Sequence, residues 1–221
     1  MRTQHVDFNG ADALLAGDYA DEWATVQAAL DDLPVHLKAS DQAGIQGNLI
    51  FDPVGTNAAI KDRLQPAGWA PNVPMPKRFD FLGTDVDFVR RGAVIEVQFS
   101  NYPFLLNNTV RGELLHKSGT DLGGAPVECL VVVTKAHMFP ASNSTLYYEQ
   151  GVKQLTELAS NRVFDIPVRL VGLFTDVGEV DCTFTSYHNA RYSRTVVDRE
   201  TRRVRVRNGR SSRSRCTITF A

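Results

Sequence analysis

The sequence predicts an α/β core that carries a small β-rich appendage at its C-terminal end. Residues 128–134 and 168–174 are almost wholly apolar, which is typical of strands covered on both faces. Residues 146–160, between them, carry apolar side chains at helical spacing. Valine alternates with arginine over residues 203–207, and Asn208-Gly209 then supplies a type I′ hairpin signal. Alternating strands and helices followed by a hairpin favour this architecture.

The N-terminal elements follow from local patterns. Helical spacing of apolar residues and the stop at Pro34 predict a helix over residues 21–33. Residues 48–51 predict a short strand, and the turn at residues 52–55 leads to a helix that Thr56 can cap. Prolines over residues 71–76 predict an irregular, extended segment.

The remaining elements are predicted in the same way. Two strands, 78–88 and 93–100, are joined around Arg90-Arg91-Gly92. A helix is expected over residues 105–116, and a return strand over residues 216–220. Ser144 or Thr145 is the expected cap of the helix over 146–160. We place a catalytic core at 1–190 and a basic, β-rich appendage of the same domain at 191–221.

Composition excludes several classes of protein. The chain has 221 residues, 43% of them hydrophobic and 22% charged, which is ordinary for one folded domain. No apolar run approaches 18 residues and no apolar stretch follows the N-terminus, so neither a membrane span nor a secretory signal is expected. The three cysteines are widely spaced, which argues against a disulfide framework and favours a reducing cytoplasm.

Charge is distributed unevenly along the chain. Residues 191–215 hold ten arginines and only two acids, a net charge of +8 that leaves −9 for the rest of the chain. A polyanion partner for this end would account for the asymmetry. A solvated, arginine-rich hairpin would account for it equally well.

One strand pair places two carboxylates together. In the strand over 93–100, a period of two puts Glu96 and Gln98 on the face opposite the apolar residues, where Asp87 can reach across the turn. Two carboxylates at a strand pair make a hard oxygen site suited to Mg²⁺ and a substrate phosphate. The alternative is a solvated strand face. We expect Asp85 on the opposite face from Asp87, making a structural hydrogen bond.

A resemblance to known proteins is carried by seven long runs, at residues 35–42, 49–57, 76–85, 96–111, 137–144, 146–150 and 191–195. In these runs the chain resembles the type II restriction endonucleases of the PD-(D/E)xK nuclease superfamily. The resemblance covers most of the chain from about residue 35 to 195. The first 30 residues, residues 119–127 and the end after residue 195 match poorly.

The resemblance implies a mixed central sheet flanked by helices, and an Mg²⁺-dependent active site. Asp87 and Glu96 would bind the metal through their carboxylates, and Val97 through its backbone carbonyl. Gln98 stands where most of the superfamily has lysine, but the branch that this chain resembles also has glutamine there. Glutamine cannot take a proton at neutral pH, so a metal-activated water oriented by Gln98 is the candidate nucleophile. Asn72 lies in a segment that the resemblance places near the active site.

The resemblance also suggests which side chains contact DNA. Asn143 and Ser144 precede a helix, in a loop that could enter a groove, and asparagine can bind adenine N6 and N7. Their alternative role is to cap that helix. Ser100 and Asn101 follow the catalytic strand directly. Tyr192 and Arg194 open the basic region, where Arg194 could contact guanine or a phosphate.

The implied activity is Mg²⁺-dependent cleavage of both strands of palindromic double-stranded DNA by a homodimer, each subunit cutting one strand. The implied target is AGATCT, cut after the first A to leave four-base 5′ overhangs and 5′-phosphates. A partner methyltransferase is expected in the same bacterial cell. The alternatives are a catalytically silent DNA-binding protein and a nuclease with a degenerate target such as RGATCY.

Overall fold

A computed structural model of the chain describes residues 1–189, 194–211 and 214–221. The helices of this part are α1 (Ala11–Ala16), α2 (Ala20–Leu30), α3 (Pro53–Leu64), α4 (Tyr102–Lys117), α5 (Tyr148–Ser160) and a 3-10 helix at Lys77–Leu82. The strands are β1 (Arg2–Phe8), β2 (Val35–Ala39), β3 (Leu49–Phe51), β4 (Ala70–Pro74), β5 (Asp85–Arg90), β6 (Ala93–Val97), β7 (Asp121–Leu122), β8 (Ala125–Pro126), β9 (Cys129–Lys135), β10 (Val168–Phe174), β11 (Gly178–Tyr187), β12 (Val196–Arg207) and β13 (Thr217–Phe220).

The central sheet has six strands in the order β1-β10-β9-β6-β5-β4. Strands β6, β9 and β10 run parallel, whereas β1, β4 and β5 pair antiparallel with their neighbours. The predicted α/β fold with a mixed sheet is therefore confirmed. Alternate residues of β9 enter different hydrophobic clusters, Val131 and Val133 on one face, and Leu130 and Val132 on the other. Helices α4 and α5 contribute to one cluster, whereas α2, α3 and strands β2 and β3 contribute to the other. Both faces of β9 are therefore covered, which is why its sequence is almost entirely apolar.

A second sheet has five strands in the order β13-β12-β11-β2-β3. It joins strands from both ends of the chain, because β11 pairs with β2 as well as with β12. The type I′ hairpin predicted at Asn208-Gly209 is wrong. Arg207 pairs with Thr217, so residues 208–216 form a longer connection between β12 and β13. The domain division at residue 190 stays a prediction.

Two N-terminal predictions need correction. Asp52, not Thr56, caps α3, since its Oδ1 accepts from the Val54 N–H at 3.1 Å and Pro53 occupies the first turn. The proline-containing segment forms β4, an edge strand, where the missing N–H groups of proline are tolerated.

The predicted strand over 78–88 is also only half correct. Its first part is the 3-10 helix, which begins after Pro76 and ends at Gly83, where φ is 133°. Strands β1 and β11 and helix α1 were not predicted. Strand β1 has few apolar residues and helix α1 is only six residues long, so local patterns gave little signal for these two. Strand β11 does carry such a signal, with Val180, Cys182 and Phe184 at every second position.

Candidate active site and nucleic-acid interface

Asp87 and Glu96 converge where β5 and β6 separate. Phe88 pairs with Ile95 in this antiparallel ladder. One residue further from the turn, Asp87 therefore lies opposite Glu96, and both side chains lie on the same face of the sheet. Asp87 Oδ2 accepts a hydrogen bond from the backbone N–H of Val97 at 2.7 Å. This bond leaves Asp87 Oδ1 available to a ligand.

Glu96 is buried and paired with an arginine. Only 4% of the residue is exposed, and its carboxylate accepts a hydrogen bond from the Arg111 guanidinium of α4. Arg111 also donates to the Asp85 carbonyl at 2.9 Å, which fixes its position. Burial raises the pKa of Glu96 to about 8, although the charge of Arg111 opposes the shift. No local pattern pointed to Arg111, because its partners lie 15 and 26 residues away.

Asp85 lies on the same face as Asp87, contrary to expectation. Residues two apart in a strand share a face, and the side chains of Val86 and Phe88 are buried on the other one. The expected hydrogen bond is present, since Thr84 Oγ1 donates to Asp85 Oδ1 at 2.8 Å. Burial raises the pKa of Asp87 most, and the charge of Asp85 adds a smaller upward shift.

The oxygen donors suit a hard divalent cation. Two carboxylates and the Val97 carbonyl are the kind of ligands that Mg²⁺ prefers, and a cation beside them would favour their ionised forms. No cluster of three or more His, Cys, Asp or Glu side chains that could hold a metal was found among the described residues. Any cation here would therefore need the carbonyl, water or a substrate phosphate to complete its coordination.

Gln98 and Asn72 flank this carboxylate pair. The Gln98 side chain is half-buried and donates from Nε2 to Ser100 Oγ. Pro71 pairs with Phe88 and Val73 with Val86, so Asn72 faces Asp87 across the β4–β5 ladder. Asn72 is exposed and has φ 50°, a left-handed conformation that interrupts the ladder.

A cleft of about 560 Å³ joins the catalytic strand to the candidate base-reading residues. Its lining includes Gln98, Ser100, Asn143, Ser144 and Arg194, residues that lie far apart in the sequence. Asn101 lies at the N-terminus of α4, where Thr145 Oγ1 donates to its Oδ1 at 3.2 Å. Tyr192 lies outside the described residues.

Asn143 is exposed and its φ is 49°, in the left-handed region. Its backbone N–H donates to Gln42 Oε1 at 3.3 Å, and its side-chain amide makes no hydrogen bond to another described residue. The single hydroxyl proton of Ser144 has two carbonyls within hydrogen-bonding distance of its Oγ, that of Phe99 at 2.8 Å and that of Ser100 at 2.7 Å. Tyr147 is the N-terminal flanking residue of α5 and no side chain caps it, so the predicted capping role is wrong.

Comparison with known proteins decides the family. The family model described as restriction endonuclease BglII/BglIII matches residues 3–173. The type II restriction enzyme BglII of Bacillus subtilis is 53% identical over 207 residues, which cover 93% of this chain and 92% of that protein. The chain belongs to the BglII/BglIII restriction endonuclease family.

Two solved structures of BglII resemble this family member to different degrees. Crystalline BglII complexed with a DNA 16-mer superimposes with a TM-score of 0.94 at 50% identity, over all of both chains. Free BglII gives a TM-score of 0.75 at 46% identity, again over all of both chains. The structure described here is therefore closer to the DNA-complexed form.

The arginine-rich end of this BglII/BglIII-family chain is partly neutralised by its neighbours. Arg203 and Arg205 on β12 pair with Glu179 on the adjacent strand β11, and Arg202 pairs with Glu200. The net charge of +8 counted along residues 191–215 does not include Glu179, which lies on β11 beside these arginines. Other described arginines of this stretch make no ion pair with described residues: Arg194, Arg199, Arg207, Arg210 and Arg215.

Proposed function

We propose that this restriction endonuclease cleaves both strands of AGATCT, after the first A, using Mg²⁺ held by Asp87, Glu96 and the Val97 carbonyl. The observation that carries the proposal is the position of this carboxylate pair beside a cleft lined by polar side chains suited to base edges. The products would be four-base 5′ overhangs ending in 5′-phosphate. Family membership supports the reaction class.

Different residues have different proposed roles in cleavage. When bound, Mg²⁺ supplies a Lewis acid that activates water and offsets charge on the phosphate. Gln98 orients water through its amide and cannot act as a base. Arg111 balances Glu96 and keeps its carboxylate fixed at the site. Asn72 faces Asp87 from the edge strand, within the region where the scissile phosphate would lie.

Base reading is assigned to the cleft residues. Asn143 presents an amide suited to an adenine edge, while Ser100, Asn101, Ser144, Tyr192 and Arg194 are the other proposed DNA contacts. Ser144 has a limited capacity here, because its hydroxyl already donates to a backbone carbonyl and accepts from Lys135 Nζ at 2.6 Å. Only its remaining lone pair could accept a hydrogen bond from a base.

A twofold target implies a twofold dimer, and α4 offers a surface for a second copy. Large apolar side chains are exposed here: Tyr102 is 42% exposed, Phe104 49% and Val110 46%, and Phe81 of the preceding 3-10 helix is 71% exposed. We propose that the second copy covers this surface. Val110→Glu should convert the dimer to a monomer in sedimentation, whereas Val163→Glu, at an exposed valine outside α4, should not.

The cellular setting follows from the activity. A DNA-cutting enzyme of this specificity would act in the bacterial cytoplasm, with a cognate methyltransferase protecting the host sites. No helix of the described residues is long and apolar enough to cross a membrane. Double-stranded DNA is the proposed partner.

One experiment separates the proposed activity from its alternatives. The protein is incubated with Mg²⁺ and a plasmid of known sequence, and both ends of each product are mapped. Cuts only at AGATCT support the proposal. Cuts at all RGATCY sites would indicate a degenerate target, and specific retention without cleavage would indicate a catalytically silent binding protein.

A further inference from the structure

Lys135 is a buried lysine that none of the roles above requires. It is the last residue of β9, and only 1% of it is exposed. None of the carboxylates in the described residues forms an ion pair with it. An ammonium group removed from water needs other partners to offset the loss of hydration.

Three acceptors saturate the three N–H bonds of the ammonium. Lys135 Nζ donates to the Phe99 carbonyl at 2.7 Å, to Ser144 Oγ at 2.6 Å and to the Leu146 carbonyl at 3.0 Å. A lysine ammonium has three donors and no acceptor, so this set uses its full capacity. The geometry fits a fixed structural link better than a mobile group.

The acceptors belong to two different parts of the molecule. Phe99 follows the catalytic strand β6, whereas Ser144 and Leu146 belong to the loop at residues 141–147, which we call the recognition loop. The same junction is reinforced by the Thr145 and Leu146 N–H groups, which donate to the Ser100 carbonyl at 3.0 and 3.1 Å. Lys135 therefore lies where the recognition loop contacts the end of the catalytic strand.

Hydrogen bonds also connect this contact region to Gln98 in the active site. Gln98 Nε2 donates to Ser100 Oγ, and the Ser100 carbonyl accepts from the backbone N–H groups of Thr145 and Leu146 in the recognition loop. Ser100 thus joins the recognition loop to Gln98, through its carbonyl on one side and its hydroxyl on the other. A displacement of the recognition loop would change the position of Ser100 and with it the orientation of Gln98.

Lys135 does not take the place of the lysine that most of the superfamily has at the position of Gln98. Val97 pairs with Val133 in the parallel ladder, so Lys135 continues on the face of Val97 and Phe99. Glu96 and Gln98 point to the opposite face. The ammonium makes its hydrogen bonds on that face and forms no ion pair with Asp87 or Glu96 among the described residues.

We propose that Lys135 is a positioning residue that holds the recognition loop against the end of the catalytic strand and couples base reading to the orientation of Gln98. The proposal rests on the proposed function in one respect, the assignment of base reading to Asn143. The other part of the proposal, that Lys135 holds the recognition loop against the end of the catalytic strand, does not depend on that assignment.

The test compares Lys135→Met, which keeps the length of the side chain without its donors, with Val131→Ala in the same strand. Val131 is buried in the core away from the loop, so its truncation provides a destabilised control. Two quantities are measured on the full chain: amide hydrogen exchange at Thr145 and Leu146, and the ratio of AGATCT to unrelated DNA binding without metal. Lys135→Gln is measured as well, so that a failure of Lys135→Met to fold leaves a usable variant.

Lys135→Met should increase exchange at both amides at least about tenfold beyond the control and should lower the binding ratio at least about tenfold. Binding to unrelated DNA should stay unchanged. Exchange no faster than in Val131→Ala would overturn the positioning role. Faster exchange with an unchanged binding ratio would refute the coupling to base reading. A wild-type protein with no preference for AGATCT would instead refute the proposed function, and the exchange result would still decide whether Lys135 holds the recognition loop.

Discussion

Asp87 is bound to the backbone of Val97, the residue whose carbonyl is proposed as the next metal ligand, by a 2.7 Å hydrogen bond from the Val97 N–H to Asp87 Oδ2. The bond spans the point where β5 and β6 separate, beyond the last ladder pair of Phe88 with Ile95. It holds one proposed ligand against the backbone of another. The fold itself therefore sets the position of Asp87 relative to the Val97 backbone.

Removing either carboxylate should abolish cleavage without abolishing specific binding. Asp87→Ala or Glu96→Ala should reduce the cleavage rate by at least about 100-fold, because each removes charge from the proposed metal site. Binding to AGATCT without metal should persist or tighten, since a carboxylate that repels phosphate has been removed. Single-turnover cleavage and filter binding measure the two quantities. Asp121→Asn, at an exposed position in β7, is the control, and near-normal cleavage by either alanine variant would refute the site.

Arginines without an acidic partner should determine the salt dependence of DNA binding. Replacing Arg199, Arg207 and Arg210 with alanine should weaken binding to all sequences. The slope of log K against log salt should fall by roughly 0.9 for each phosphate that is no longer neutralised. Arg203→Ala with Arg205→Ala is the matched control, because these two side chains already pair with Glu179 and Asp181 on β11. Equal slopes for wild type and the triple variant would make this surface a solvated hairpin.

The side-chain amide of Asn143 should determine specificity, and its left-handed backbone should affect stability separately. Asn143→Ala should cost about 1–3 kcal/mol on the cognate site and much less on unrelated DNA. Alanine also disfavours the left-handed backbone at φ 49°, which costs about 1–2 kcal/mol of folding stability. Asn143→Gly removes the same amide without that strain. Both variants should lose the cognate preference while only the alanine variant melts earlier, and a retained preference in the glycine variant would remove Asn143 from the recognition residues.

Acid should destabilise the fold through His36. This histidine is 4% exposed, and neither ring nitrogen has a hydrogen-bond partner in the described residues. Burial lowers the pKa of His36 to about 4, although the charge of Asp52 opposes the shift. Between pH 6.5 and 4 the unfolded chain takes up a proton that the folded chain refuses, so the free energy of unfolding falls as pH falls, by roughly 3 kcal/mol in total.

Denaturant unfolding of His36→Leu across this range checks the effect. The variant should lose most of the acid sensitivity between pH 6.5 and 4. His188→Gln changes an exposed histidine and should retain the wild-type profile. A wild-type profile in His36→Leu would show that another group takes up the proton.

Local patterns were sufficient to predict the elements whose burial is simple. Strands β9 and β10 were predictable because both of their faces are covered and almost every residue is apolar. The shared face of Asp87 and Glu96 followed from the period of two and one short turn. The family was likewise readable from long runs of the sequence, and the comparisons confirm it.

Packing of the whole chain determines which distant residues meet. Arg111 reaches Glu96 and Lys135 reaches Ser144 only because α4 and the recognition loop pack against the sheet, and no local spacing encodes those contacts. Likewise, Glu179 neutralises Arg205 only through the pairing of β11 with β12, which a count of charge along the sequence does not reveal. Periodicity reports which face of an element is buried, whereas the partner of a strand or a buried charge depends on the free energy of the whole packed chain.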